Sequence, residues 1–155
     1  MDRATAYRAH PGFVDMIKNM CPDEARIMKR LTFEHAYPLV NIKSISKKDR
    51  SYIVTHRYVS LLGVDAKCEH VPLTPNYIDN LERLGLVQVD SMSKISDEEV
   101  YKRIEEFPQI KDITDELGKQ EERRVEIQRI RLLVTDLGKQ FIRSCVLDKN
   151  MQPRS

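Results

Sequence analysis

Hydrophobic positions recur at helical spacing through Tyr77, Ile78, Leu81 and Leu84, and then switch to strand-like alternation at Leu86, Val87 and Val89. Thr74 is placed to cap the free amides of the first turn. Pro75 suits the first helical position, where no donor is needed. Gly85 sits where a left-handed residue ends a helix. The stretch Leu73–Asp90 therefore predicts a helix over Thr74–Leu84, a glycine stop and a strand, and the remaining elements are arranged on either side of it.

Upstream, His10-Pro11 opens a helix whose predicted buried stripe is Phe13, Val14, Ile17 and Met20. Pro22, Asp23 and Glu24 restart the chain as a second helix, the proline at its first position and the acids at the positive end of its dipole. Its apolar face is Ile27, Met28 and Leu31, and Cys21 occupies the cap, where Ser or Asp would bond the amides better. From Pro38 the period falls to two, predicting a strand through Ile45 with one half-buried face. A polar turn, Ser46–Ser51, leads to a returning strand that starts at Tyr52, and Gly63–His70 reads as a loop.

Downstream, Ser91–Ser96 reads as a wing tip or linker. Ser96 and Glu99 have capping-box spacing ahead of a helix lined by Val100, Ile104 and Phe107. Pro108 interrupts that helix, and a second piece carries Ile110, Ile113 and Leu117. After the charged turn Gly118–Arg124, the residues Val125, Ile127, Ile130, Leu132 and Val134 form a strand whose parity slip fits a bulge. Thr135-Asp136 starts a last helix with Leu137, Phe141, Ile142, Cys145 and Val146 inward. The echo between Thr114–Gln120 and Thr135–Gln140 is too short to mark a repeat architecture.

These elements predict an α+β fold, mainly helical. Its core is winged-helix-like: the strands near Val87 and Ile130 pair, and the segment Asp97–Leu117 is inserted between them. The early hairpin either extends the same sheet or stands apart. Residues 1–9 read as a cut or disordered edge, 10–148 as a single domain and 149–155 as a frayed tail.

Charge narrows the function. The 155 residues carry 26 Lys and Arg against 24 Asp and Glu, a net +2, which makes no broad field for a nucleic-acid backbone. The three cysteines are widely spaced without a CxxC pair, as in a reduced intracellular protein. No apolar run reaches membrane-span length, so a cytoplasmic location without membrane contact is expected. No phosphate loop, nucleophile elbow or HExxH motif is present, and a nuclease would need clustered carboxylates or histidines. No catalytic residue, metal or cofactor is expected. Cys68-Glu69-His70 offers two ligand types in three residues without a second pair, and reads as a structural loop.

Two surfaces stand out as contact sites. The hairpin carries Lys43, Lys47, Lys48, Arg50 and Arg57, interrupted only by Asp49. The helix after Thr74 offers Asn76, Tyr77, Asn80 and Arg83, but also Asp79 and Glu82, which repel phosphates. Arg123, Arg124, Arg129 and Arg131, mixed with Glu121, Glu122 and Glu126, read as surface balance.

Three blocks, HPGFVDMIKNMCPDEARIMKRL, YIDNLERLGLVQV and LLVTDLGKQFIRSCV, together resemble the Abi-alpha family of bacterial proteins, which is linked to abortive infection by phage. The family usually has Ser where this chain has Cys21, and its members commonly carry a further N-terminal region ahead of this part, which the resemblance implies as the effector half. The resemblance transfers no catalytic residues. It implies a non-enzymatic sensing or interaction domain in anti-phage defence with a protein partner from host or phage. The alternative is a winged-helix DNA-binding regulator, with nucleic acid as the partner.

Overall fold

The computed structural model describes residues 12–146. The expected helix start at His10-Pro11, the leading edge and the tail after Val146 fall outside them. Strands and helices mix as an α+β protein. In chain order the elements are α1 (Phe13–Lys18), α2 (Pro22–Arg30), β1 (Ala36–Ser46), β2 (Tyr52–Val59), α3 (Leu62–Asp65), α4 (Thr74–Arg83), β3 (Val87–Asp90), α5 (Glu99–Glu105), α6 (Pro108–Gly118), β4 (Arg123–Val134) and α7 (Asp136–Phe141). A 3-10 turn, Val71–Leu73, precedes α4, and a π-helical turn, Ile142–Val146, follows α7. The strands form one sheet in the order β2-β1-β4-β3, so the early hairpin extends the sheet that contains β3 and β4. β1 and β2 are antiparallel, with register shifts near Ile42.

The chain divides into two compact units. Among the described residues, the first comprises 12–36, 62–89 and 133–146, and the second 37–61 and 90–132.

In the first unit, Ile27 and Met28 of α2 and Leu31, the residue that caps it, are fully buried, as are Ile78 and Leu81 of α4. Phe13 and Phe141 meet edge to face at 5.3 Å. Gly85 adopts φ 81°, the left-handed stop expected of it. The Thr135 hydroxyl accepts from the Gly138 amide and donates to the Gly85 carbonyl, so the cap of α7 also fastens the turn between α4 and β3. Gly138 is required here because a β-carbon would overlap the Leu86 carbonyl.

Three local expectations are corrected. Val14 is 60% exposed, so the stripe of α1 is narrower than its spacing suggests. Thr74 does not cap α4: Leu73 holds the cap position, and the buried Thr74 hydroxyl donates to the Val71 carbonyl at 2.6 Å. The stretch Gly63–His70, expected to be a loop, holds most of α3 at its start, and the 3-10 turn follows it.

The second unit is built on Val40, Ile42, Leu61, Tyr101, Ile104 and Ile110, with Val125, Ile127 and Phe107 packed against them. β1 is buried on both faces over most of its length rather than on one, and it is an inner strand, hydrogen-bonded between β2 and β4. Tyr101 is fully buried, yet both hydrogen-bonding capacities of its hydroxyl are used: it accepts from the Ile95 amide at 2.8 Å and donates to the Ile130 carbonyl at 2.7 Å. The start of α5 is also corrected. Asp97, not Ser96, binds the free Glu99 amide, at 3.0 Å. Pro108 separates α5 from α6 and begins the latter, as its missing N–H requires.

Candidate interaction site

The hairpin of the second unit is tied down before its tip is left open. The Ser46 amide donates to the Ser51 carbonyl at 2.8 Å, the Arg50 amide donates to the Ser46 carbonyl, and Arg50 takes a left-handed φ of 61° to close the turn. Asp49 accepts from both the amide and the hydroxyl of Ser51, so the tip's acidic group serves the turn itself. Those hydrogen bonds hold its carboxyl below the usual carboxylate range. Lys47, Lys48 and Arg50 are exposed there. Lys43 lies 4.4 Å above the Tyr52 ring, and the Arg57 guanidinium sits 4.4 Å from the Tyr58 ring centre. The five cations expected on this hairpin thus share it with aromatic rings.

Beside them Tyr52, Ile53 and Val54 are 57%, 60% and 42% exposed. This apolar run occupies the terminal strand of the sheet.

The second expected surface is largely occupied within its own unit. Tyr77 is corrected from a contact residue to a buried one, its hydroxyl donating to Asp23 at 2.9 Å. Arg83 donates twice to the Asn80 side-chain oxygen, at 3.1 and 2.7 Å, and Asn80 in turn donates to the Asn19 carbonyl. Glu82 accepts from the Val89 amide. Asn76 alone of the four residues expected there is exposed and has no such tie among the contacts seen.

Spacing marks Asp23 only as a complement to a helix dipole, but it is the polar centre of the first unit. It is 3% exposed and accepts from the amides of Glu69 and His70 at 2.8 and 2.9 Å, from Tyr77 and from Arg26. Burial raises its carboxyl, but these donors outweigh that and hold it at about 2. The Cys68 thiol donates to the Asp23 carbonyl at 3.6 Å. The Cys68-Glu69-His70 segment therefore works chiefly through its backbone, with the Glu69 and His70 side chains exposed. Among the described residues no three His, Cys, Asp or Glu side chains converge as metal ligands. No residue spacing signals a carboxylate gripped by two backbone amides 46 and 47 positions away.

A groove of about 270 Å³ in the same unit is bordered by Ile17, Met20, Cys21, Lys29, Phe141 and Cys145. Burial pushes the Cys21 thiol up, and burial with the neighbouring Asp23 charge pushes Cys68 up to about 11. Both shifts oppose the thiolate that a nucleophile requires.

Three of the four β4 arginines, Arg123, Arg129 and Arg131, are corrected from surface balance to directed pairs. Arg129 forks onto Glu105 at 2.8 and 3.2 Å, Arg131 binds Asp90 at 2.9 Å, and Arg123 bonds the Ser44 hydroxyl and carbonyl. Among the described residues no helix is long and apolar enough to cross a membrane.

Comparison with known proteins agrees with this architecture. An uncharacterized protein from the hydrocarbon-degrading marine bacterium Alcanivorax borkumensis SK2 has a similar fold, with a TM-score of 0.55 and 24% identity over 86% of this chain and 92% of that one. Comparison with curated proteins gives no match. The model of the family described as abortive infection alpha matches residues 1–145, from ahead of α1 into the π-helical turn, and the chain belongs to that family.

Proposed function

We propose that this chain is a non-enzymatic sensing or interaction module in abortive infection, and that it engages a protein partner from host or phage through the β1–β2 hairpin. Family membership supports the defence context. The observation that carries the choice of surface is the juxtaposition of exposed apolar residues, Tyr52, Ile53 and Val54, with exposed cations on one hairpin. Protein interfaces combine apolar and aromatic contact with a polar rim in this way. The cytoplasm of a bacterium is the expected setting.

A second reading, a winged-helix DNA regulator, draws support from the order α4, Gly85, β3, β4, α7 and from the hairpin cations. It would use α4 in a major groove. The buried Tyr77, the mutual engagement of Asn80 and Arg83, and the acids Asp79 and Glu82 all weigh against it.

Phage challenge of cells expressing the chain tests the first reading. The combined reversal Lys47→Glu, Lys48→Glu and Arg50→Glu is expected to abolish protection without lowering the protein's level, whereas Asn76→Ala is expected to leave protection intact. Loss with Asn76→Ala and retention with the reversals would move the working surface to α4.

A further inference from the structure

Given the hairpin as the interaction surface, the reading on which this inference rests, its geometry narrows the partner. β1 and β2 pair continuously through Lys43↔Val54, Ser44↔Ile53 and Ile45↔Tyr52. The Ser46 amide bonds the Ser51 carbonyl, so the antiparallel alternation makes Ser44↔Ile53 the next hydrogen-bonded pair. Tyr52 and Val54 then direct their backbone N–H and C=O groups away from β1, toward the outer side of the terminal strand. Strand edges in natural proteins are commonly blunted by charge, proline or an early bulge. From Tyr52 to Thr55 there is neither charge nor proline, and the register shifts fall beyond Lys43.

We infer that the outer edge of β2 accepts an extended, acidic segment of a partner protein as an added strand. Backbone hydrogen bonds to Tyr52 and Val54 supply affinity in such an addition, and side chains at alternate positions supply selectivity. Here the selectivity is electrostatic at the turn end, where Lys48 and Arg50 are exposed in the turn and Lys43 lies over the Tyr52 ring, and apolar over Ile53. At the other end, Asp112 and Glu116 of α6 border a hollow beside His56. An incoming acid is therefore favoured near Arg50 and disfavoured near His56, which fixes where its charge must fall. A nucleic-acid backbone, charged at every step, meets those two carboxylates. A second copy of β2 brings no acid at all, since Tyr52–Val59 contains none.

The test is an NMR titration of the isotope-labelled chain with an extended peptide of about eight residues, Glu alternating with Val in one half and Thr with Val in the other, long enough to pair along the strand. A Lys-Val peptide and random duplex DNA run in parallel. The expected result is saturable shifts confined to Lys43 and Arg50–Arg57, with the Tyr52 and Val54 amides gaining exchange protection. Affinity is expected to fall at least tenfold with Lys43→Glu and Arg50→Glu combined. Val54→Pro, which removes an outward N–H, should abolish binding while the rest of the spectrum stays in place. Ile53→Glu is the second variant should Val54→Pro disturb the hairpin. It sets a like charge against the acidic strand at a position pointing off the sheet face, and the same loss of binding is expected. Equal binding of the Lys-Val peptide, shifts centred elsewhere, response to DNA alone, or peptide-free self-association through β2 would each overturn the inference. If the peptide fails while the turn reversals still abolish phage protection, strand addition is wrong and the hairpin reading survives. If both fail, the hairpin reading falls with it.

Discussion

Asp23 shows how a single side chain holds a fold by serving backbone rather than other side chains. Its four partners come from α2, the Glu69-His70 segment and α4, so losing its charge unfastens three places at once. Its carboxyl lies at about 2 in the folded protein against an ordinary 3.8. The folded state therefore binds its proton less readily than the unfolded chain. Its contribution is complete above the unfolded value and is lost as pH falls toward about 2. At about 1.4 kcal/mol per unit, the linkage is worth roughly 2 kcal/mol. Urea denaturation of Asp23→Asn at neutral pH is expected to show a loss of about 2–4 kcal/mol, since amides are left with a poorer acceptor. The gap between the two proteins should narrow below about pH 4. A gap independent of pH would show that shape, not charge, matters there. Tyr101 presents the neutral counterpart. Tyr101→Phe leaves the Ile95 amide and the Ile130 carbonyl without their partner. It is expected to cost about 1–3 kcal/mol by the same measurement.

Elements are legible in the sequence wherever their signals are local. Pro22 and Pro108 at helix starts, Gly85 at a helix end, Thr135 as a cap and the polar turn Ser46–Ser51 act through neighbours within a few residues, and each is readable from spacing. Thr74 misleads because a hydroxyl both donates and accepts. The preceding 3-10 turn supplies an acceptor at Val71 that the spacing does not reveal. Arg129–Glu105 and Arg131–Asp90 span 24 and 41 positions, and only the return of β4 to its neighbours brings them together. For the candidate site, the hairpin cations are legible as a cluster, but the exposure of Ile53 and Val54 is not. Strand position, outer or inner, decides it, and alternation is silent on that. Gly138 escapes notice for a similar reason: its need arises from the Leu86 carbonyl across the α7–β3 approach. Gly138→Ala is expected to destabilise by about 1–3 kcal/mol, the range for overpacking at a close contact. Gly118→Ala, with nothing near the added carbon, is expected to be neutral or slightly stabilising. Thermal melts of the two variants side by side separate crowding from helix propensity.

At the scale of the whole molecule, near-balance of charge sets what the hairpin can recognise. With 26 cationic and 24 acidic side chains, the chain has no long-range field to draw in a polyanion, and the hairpin acts within about a Debye length of its own surface. Several of the remaining cations are already committed, Arg123 to Ser44, Arg129 to Glu105 and Arg131 to Asp90. Contact with duplex DNA through the hairpin therefore involves few phosphates. Each neutralised phosphate contributes about −0.9 to the slope of log affinity against log salt, so three or four contacts give a slope of about −3 to −4. Fluorescence anisotropy with random duplex and single-stranded DNA is expected to show at most weak binding at low salt, largely gone near physiological ionic strength. Reversal of Lys47, Lys48 and Arg50 should remove what binding there is. A steep slope with tight binding that survives the reversals would require phosphate contacts elsewhere on the chain, and would favour α4 and the regulator reading over strand addition. A shallow slope alongside salt-sensitive capture of the acidic peptide places recognition on the few cations around Tyr52 and Val54, where charge selects the partner and the strand edge holds it.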